Sequence, residues 1–449
     1  MYKLLLSLRY MFKRRITYLA TVSVALCVFM AIVVITVMTG LLADFKDKNH
    51  KWSGDCIIST DSLVGFAGYE EFSDILSRTS FVSSLSPVIR SYAILSAKGS
   101  DRNTTIEISG IDPASFGAVT DFANMLHYHK GDPQAAFEPP YDPNLPGCVL
   151  GIDMALARDQ YGKYIHSDQR SLVAFEISCF PLTAKGALAK AGLGLVSSKT
   201  FYYSDDCHSG LAKVDGSFVY LPFNEAQRLC GMDGDNKRVT AIHIKFIDGT
   251  DIEQATGDVK DIWNDFVSSK EGTHLASLLG NVRVETWKEF NRDSIAAVET
   301  EQVMMIFSFL FIGVISVFIV FVVFYMIVSH KSKDIGILKS IGISKLNIIA
   351  IFLYFAFFVG SLASLLGVFA GVIFLSRINQ LEGWLYDQFG FQLWNRMIYA
   401  IDLIPNQINI TVLIFIVVLA IFACLAGAFI PACQAAKMQP VNSLQVNQL

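Results

Sequence analysis

Four long apolar runs, at residues 16–43, 303–329, 348–376 and 408–430, constrain this chain more than any other feature, and none contains Asp, Glu, Lys, Arg or His. Each exceeds the roughly 20 apolar residues needed to cross a hydrocarbon core about 30 Å thick, so each predicts a membrane-spanning helix. Their spacing is uneven: one span, a long polar stretch, then three spans close together.

With 53% hydrophobic residues and a mean hydropathy of +0.44, the 449-residue chain is too apolar for an ordinary soluble protein. Residues 44–300 nevertheless read as a normal globular sequence, long enough for one or two cores. A net charge of −4, with no basic cluster beside an aromatic platform, gives no sign of a nucleic-acid partner. Charge placement says more. Lys3, Arg9, Lys13, Arg14 and Arg15 precede the first span without an acid, and Lys331, Lys333, Lys339 and Lys345 between spans two and three face Asp334 alone. The loop between spans three and four mixes Arg377, Glu382, Asp387, Arg396 and Asp402. Positive charge collects on the cytoplasmic side, so both termini and the second loop are expected inside and the large domain outside.

The basic start followed by an apolar run has the outline of a secretory signal, but the run is too long and no small-x-small cleavage site follows it. Leu26 stands before Cys27 where lipoprotein processing needs a small residue, so the first span is read as an anchor. Leu4, Leu5, Leu8, Met11 and Phe12 share one helical face, the pattern of an amphipathic segment on the inner interface. A plain extension of the first span fits the same residues.

Five cysteines fall in the outer region: Cys56, Cys148, Cys179, Cys207 and Cys230. They have no CxxC spacing, their pairing cannot be deduced, and small buried thiols are the expectation. Cys207-His208 beside Asp205 and Asp206 is a local cluster without matching partners, and no metal site is assigned.

Within the outer region, strands are expected at 55–59, 91–97, 104–108, 172–177, 218–220 and 240–246, and helices at 69–78, 154–161, 224–229 and 251–267. They mix without a strict βαβ rhythm, which predicts an α+β domain. Residues 179–199 change character, being rich in Ala and Gly, with three lysines and no acid. Such an insertion is a projecting arm or a surface loop. Residues 285–301 suggest a stalk helix feeding span two, with Trp287 near its start, and Trp384, Tyr386, Trp394 and Tyr399 suggest an aromatic belt. Ala363, Gly367 and Gly371 recur every fourth residue in span three, as do Ala420, Cys424 and Ala428 in span four. That spacing suits close helix packing, within one bundle or against another subunit.

Several chemistries are missing. Spans without ionisable groups argue against a proton or ion relay. The nearest approach to a Walker A motif, residues 194–200, has Leu193 and Ser198 where glycines are required. No GxSxG or HExxH spacing occurs. The chain is therefore expected to be non-catalytic, binding no cofactor directly, with energy supplied by a separate chain.

The most specific segment is the loop between spans two and three, where residues 333–342 read Lys-Asp-Ile-Gly-Ile-Leu-Lys-Ser-Ile-Gly. Ile335, Leu338 and Ile341 are expected on one face of a short helix, with Lys331, Lys333 and Lys339 polar and Gly342 at its end. A plain positive-inside tether would not need an ordered apolar stripe, so the helix is read as one that docks.

That segment resembles the coupling-helix motif of the FtsX/MacB-type permeases of ABC systems, and the resemblance is strongest to the lipoprotein-releasing LolC/LolE subfamily. It extends over essentially the whole chain. Leu8–Tyr10, Ala20–Leu26 and Val37–Gly40 resemble the family's first span; Val88-Ile-Arg and Ile108–Pro113 its outer-domain signature; Gly147–Ala157 and Tyr220–Leu229 two further blocks. Trp287–Asn291 leads to the stalk as in relatives, and Pro431, Ala435–Lys437 and Pro440 are similar to the family's tail. Cys433 and Gln434 depart from it, standing where arginines are common, and the block after Ala157 lacks the Gly-Asp often found there.

The resemblance implies an α-helical membrane protein with four transmembrane helices and a large α+β extracytoplasmic domain, a MacB-like periplasmic core, inserted between helices 1 and 2. Its segments would be 1–15 cytoplasmic, 16–43 helix 1, 44–300 periplasmic with stalk and 301–329 helix 2. Next come 330–346 as coupling helix, 347–376 as helix 3, 377–407 as periplasmic loop, 408–430 as helix 4 and 431–449 as cytoplasmic tail. It implies a permease subunit in the bacterial inner membrane that releases lipoproteins toward the outer membrane by mechanotransmission. Implied partners are a cytoplasmic ABC ATPase dimer holding ATP and Mg2+, a second permease subunit (the same chain or a paralogue), a lipoprotein, membrane lipid and a periplasmic carrier. ATPase coupling would fall to Lys331, Lys333, Asp334, Ile335, Ile337, Leu338, Lys339 and Gly342. The 179–199 insertion lies where the family's carrier-capturing hairpin lies, which makes Pro181, Leu182, Lys185, Lys190, Leu193 and Leu195 candidate arm residues. Alternatives are a MacB-like efflux permease, an FtsX-like regulator of cell-wall hydrolases, which suits a smaller outer domain, and a sensor, for which the 431–449 tail is too short.

Overall fold

The computed structural model describes residues 15–98, 103–158, 164–165, 173–189, 195–234, 236–272, 276–390 and 403–439. The amphipathic segment expected before residue 15, Lys190, Leu193, Trp394, Tyr399 and the tail from Pro440 lie outside them. The chain divides into two units, one of residues 1–42, 297–392 and 403–449, the other of residues 43–296 and 393–402.

The second unit holds a nine-stranded sheet in the order β11-β1-β10-β3-β4-β8-β5-β7-β6. Its strands are β1 (Cys56–Thr60), β3 (Val82–Ala97), β4 (Asn103–Ile111), β5 (Gly147–Gly151), β6 (Ala174–Cys179), β7 (Ser197–Cys207), β8 (Phe218–Pro222), β10 (Ala241–Phe246) and β11 (Val282–Thr286); β2 (Phe66–Ala67) and β9 (Arg238–Val239) pair separately. Among the described residues, only the β4–β8 and β5–β7 pairs are parallel. β3 also pairs with β6, so β3, β4, β8, β5, β7 and β6 close into a ring of hydrogen-bonded strands. β3 manages this because it is 16 residues long. Val82–Val88 pairs with β10, and Ile89–Ser96 with β4.

Both faces of the sheet are covered. Along β1, Cys56 and Ile58 enter one core and Ile57 the other, so the strand reads as a continuous apolar run. The first core packs helices α2 (Tyr69–Ser77) and α5 (Ile252–Ser269) on the sheet through Phe72, Trp263 and Phe266. The second gathers Trp52, α3 (Pro113–Val119), Phe122, Tyr220 and Trp287. Between α3 and α5 in the chain comes α4 (Phe223–Leu229). The carboxylate of Asp251 accepts the N–H groups of Glu253 and Gln254, satisfying donors that every helix start leaves open.

The stalk expectation needs correction. Residues 282–286 form the edge strand β11, and Trp287–Phe290 is a separate turn, α6. A capping box between Thr286 and Glu289 starts α6, and Asn291 ends it. The long helix begins only at Arg292.

Among the described residues, four helices are long and apolar enough to cross a membrane. They are α1 (Arg15–Ser53), α7 (Arg292–His330), α9 (Lys345–Phe389) and α10 (Ile410–Lys437), with the short α8 (Ser332–Ser340) between α7 and α9. Each outruns its apolar stretch, because helical hydrogen bonding continues through polar residues. In α1 the extension carries Asp44–Lys48 and Asp47–Lys51 pairs at 2.8 and 2.7 Å, one turn apart. Residues 377–389, expected as loop, are the last turns of α9 and carry Trp384 and Tyr386.

Candidate functional site: the loop helix and the outer hairpin

Helix α8 ends where Gly342 takes φ +92°, a left-handed conformation that suits glycine. It does not present the expected stripe. Ile335 is 2% exposed and Gly336 is buried, whereas Ile337 and Ile341 are 49% and 74% exposed. Leu338 lies half-buried between them. The three residues expected on one face sit three apart, and each step of three rotates about 60° short of a full turn. Over six residues the stripe drifts from the inward to the outward side, leaving Ile337 and Ile341, one turn apart, as the exposed apolar pair.

The lysines divide similarly. Lys331 pairs with Asp334, and Lys333 is exposed. The ammonium of Lys339 donates to the carbonyl of Ala436 at 2.8 Å and to that of Met438. It thus neutralises the partial negative charge of the α10 C-terminus. No sequence signal links residues this far apart, so Lys339 emerges as an internal positioning residue.

The small residues of α9 pack within the chain. A Cβ on Gly367 would lie 2.7 Å from the Ala25 carbonyl and 2.8 Å from Val28 Cβ, and one on Gly371 would lie 3.2 Å from Ile32. Ala363 is fully buried. Of the two uses left open for Gly367 and Gly371, contact with α1 is the one observed. Gly360 approaches Cys424 of α10, and Gly427 approaches Val317 and Val320 of α7 in the same manner.

In the outer unit, β6 and β7 pair antiparallel from Ala174–Tyr202 to Cys179–Ser197, so residues 180–196 connect two paired strands, and 180–189 and 195–196 of them are described. The first of these residues belong to the body of the domain. Pro181 is buried, and Leu182 donates its N–H to the Cys230 carbonyl at 3.3 Å. Arg238 donates to the carbonyls of Val64, Leu182 and Gly231 at 2.6–2.8 Å, locking three loops together. Beyond that anchor, a Leu182–Leu188 bridge and left-handed Gly186 make a tight turn presenting Lys185. Phe180, Leu188, Leu195 and Val196 are exposed apolar side chains on the same segment. Lys199, counted with the free positive charge of the insertion, pairs with Glu225 at 2.7 Å.

Three polar arrangements have no counterpart in the local sequence pattern. Arg90 lays its guanidinium 4.5 Å over Trp52 and 5.3 Å from Phe290, and burial pulls its pKa down to about 10. Asp205 accepts the N–H groups of His127, Tyr128, His129 and Asp206 at 2.8–3.2 Å, which pins the 127–129 loop. Asp215 likewise accepts from Ser209 and Gly210. Most donors to these carboxylates are backbone N–H groups; His129 Nδ1 also lies 3.0 Å from Asp205, and His208 Nε2 lies 3.9 Å from Asp215. Among the described residues no group of three or more His, Cys, Asp or Glu side chains is placed to hold a metal.

Comparison with known proteins agrees with this division of the chain. The family described as MacB-like periplasmic core domain matches residues 17–262, more than half of the chain, and the FtsX-like permease C-terminal family matches residues 305–440. The lipoprotein-releasing system transmembrane protein LolC of Neisseria meningitidis is 23% identical over 438 residues, covering 96% of this chain and 94% of the relative. LolC of Xylella fastidiosa is 22% identical over 447 residues, covering 98% of both. Among solved structures, the periplasmic region of MacB from Actinobacillus actinomycetemcomitans is similar to this chain, with 13% identity, a TM-score of 0.28, and coverage of 55% of this chain and 95% of that one. The chain therefore belongs to the FtsX/MacB family of ABC transporter permeases, with a MacB-like periplasmic core domain.

Proposed function

We propose that this chain is the membrane permease subunit of an ABC complex that releases lipoproteins from the bacterial inner membrane toward the outer membrane. The observation that carries the reading is similarity to LolC across nearly the whole of both chains. On this reading α1, α7, α9 and α10 cross the membrane, both termini and α8 lie in the cytoplasm, and the α+β unit lies in the periplasm. The lysine and arginine asymmetry of the loops supports that orientation.

A cytoplasmic ATPase dimer holding ATP and Mg2+ grips α8. Its apolar contact is Ile337 and Ile341, with Lys333 beside them, while Ile335 and Lys339 hold α8 against this chain. Closure of the dimer moves the helices and transmits force outward. The spans carry no ionisable group that would mark a solute path. Acyl chains instead contact the apolar faces of α1 and α7, between this chain and a second permease subunit, the same chain or a paralogue. The 180–196 loop offers Phe180, Leu188 and Leu195 to a periplasmic carrier.

The test is Ile337→Asp in the complex purified from native membranes. A charge in an apolar contact is expected to strip the ATPase from the complex and stop lipoprotein release, with membrane insertion unchanged. Full ATPase recovery with normal release would overturn the coupling role. Co-purification of a trans-envelope efflux partner or a cell-wall hydrolase, with no lipoprotein, would replace the substrate assignment.

A further inference from the structure

Five cysteines lie in the core of the outer unit, all as free thiols, and two of them meet. Cys179 is the last residue of β6, directly across from Ala93 of β3 and Ser197 of β7. Side chains alternate along a strand and cross-strand partners share a face, so Ser91, Ala93 and Cys179 lie on one side of the sheet. Cys230, immediately after α4, comes down on that side. Cys179 and Cys230 belong to one buried cluster, and Cys179 and Ser91 are side chains that act on the Cys230 thiol. The flanking backbones are fixed together by the bond from Leu182 N–H to the Cys230 carbonyl and by Arg238 spanning Leu182 and Gly231. Gly231 takes φ +67°, and a Cβ there would lie 2.9 Å from Pro181 Cβ. Cys56 on β1, Cys148 on β5 and Cys207 at the end of β7 occupy other parts of the core.

We propose that Cys179 and Cys230 are a dithiol pair that closes to a disulfide in an oxidising compartment, tying the base of the 180–196 hairpin loop to the end of α4. This rests on the periplasmic placement of the outer unit proposed above. The oxidant is a disulfide-bearing molecule or protein, and because both thiols are buried it reacts with them during local opening of the unit. The Cys230 thiolate attacks one sulfur of that disulfide, forming a mixed disulfide and expelling the first oxidant thiolate. Cys179 then loses its proton, and its thiolate attacks the Cys230 sulfur and expels the second. The pair gives up two protons and two electrons, and the oxidant leaves as two thiols.

The surroundings favour that order. Donation from the Cys179 S–H, then from Ser91, with the nearby Arg238 charge, holds the Cys230 thiol below the usual thiol range. Cys179 is pushed up by donating to Cys230 and by burial. The closed bond encloses residues 180–229, restricting the unfolded chain and fixing the loop's anchor independently of Arg238.

The test alkylates free thiols in native membranes expressing the full chain, then maps peptides by mass spectrometry without reduction. The same mapping follows treatment of the purified full-length protein with oxidised glutathione. The expected result is a Cys179–Cys230 linked peptide in both samples, with Cys56, Cys148 and Cys207 alkylated after denaturation. Cys230→Ser should abolish the linked peptide and free Cys179; the wild-type map stands alone if that variant does not fold. A linked peptide only after glutathione would support the pair and count against the periplasmic placement. Both cysteines alkylated in both samples would overturn the pair.

Discussion

The outer unit and helix α7 place most of their large aromatic side chains oppositely. In the outer unit Phe66, Phe72, Phe116, Phe122 and Trp263 are sealed in two cores. In α7, Phe307, Phe311 and Phe318 are 58%, 67% and 64% exposed. Water forces the first arrangement, because exposed aromatic surface is unfavourable there. A helix surrounded by hydrocarbon feels no such force, and specificity passes to the small residues that let backbones approach. Phe and Trp therefore specify the outer fold, while in the helical unit Gly and Ala set the closest backbone approaches beside a few buried rings, Phe324, Phe352 and Phe355.

The largest expected effects break or confirm that contrast directly. Trp263 rings contact Phe72, Phe66 and Phe266 at 4.7–5.7 Å, so Trp263→Ala opens a cavity expected to cost about 3–5 kcal/mol. Phe311→Ala removes a side chain of similar apolar character from an exposed helix face and should leave stability within about 0.5 kcal/mol. Thermal unfolding of the two variants in the same detergent measures both. Equal losses would show that α7 is packed in the purified protein and that the contrast fails.

A smaller effect sharpens the helical side. Gly367→Leu places atoms against the Ala25 carbonyl and Val28, where even a Cβ is too close, and is expected to cost about 1–3 kcal/mol. Gly313→Leu in α7 meets nothing within 4 Å of the added Cβ and should be neutral or slightly stabilising. Detergent-solubilised yield and melting temperature distinguish them. A neutral Gly367→Leu would mean that α1 and α9 separate readily.

Much of this was legible in the sequence, for physical reasons that also explain the failures. The four membrane-length helices follow from uninterrupted apolar runs, and Gly342 announces the end of α8. Local pattern predicts β3 only from residue 91, because Ser83, Ser84, Ser86 and Pro87 look like a loop. Residues 82–88 pair with β10 alone, and such a singly paired stretch tolerates proline. β11 did carry a usable signal, the alternation of Val282, Val284 and Thr286, but the following Trp287 drew it into a supposed stalk. The exposed Ile337–Ile341 pair was obscured by the drift of a three-residue stripe. The Lys339 bond to the end of α10 and the meeting of Cys179 with Cys230 depend on tertiary folding and left no local trace.

The smallest predicted effect concerns a polar group that the outer core keeps neutral. His243 stands between Ile242 and Ile244 on β10, fully buried, with its Nδ1 2.7 Å from the Ser53 carbonyl. Burial, reinforced by the positive charge of Arg90, lowers its pKa to about 3, against 6.5 for the free side chain. The unfolded chain therefore binds a proton below about pH 6.5 that the folded chain refuses, so stability falls as pH drops through that window. The slope approaches 1.4 kcal/mol per pH unit at its steepest, or about 1 kcal/mol between pH 6.5 and 5.5. Carboxylates released from their native partners contribute a loss of the same sign at lower pH, so the wild-type slope alone does not isolate the histidine. His243→Gln keeps a donor toward Ser53 and cannot titrate. It is expected to be less stable at pH 7.5 but to lose less on acidification to pH 5.5. Melting curves of both proteins at the two pH values decide it. Parallel losses would mean that His243 takes up its proton without opening the core.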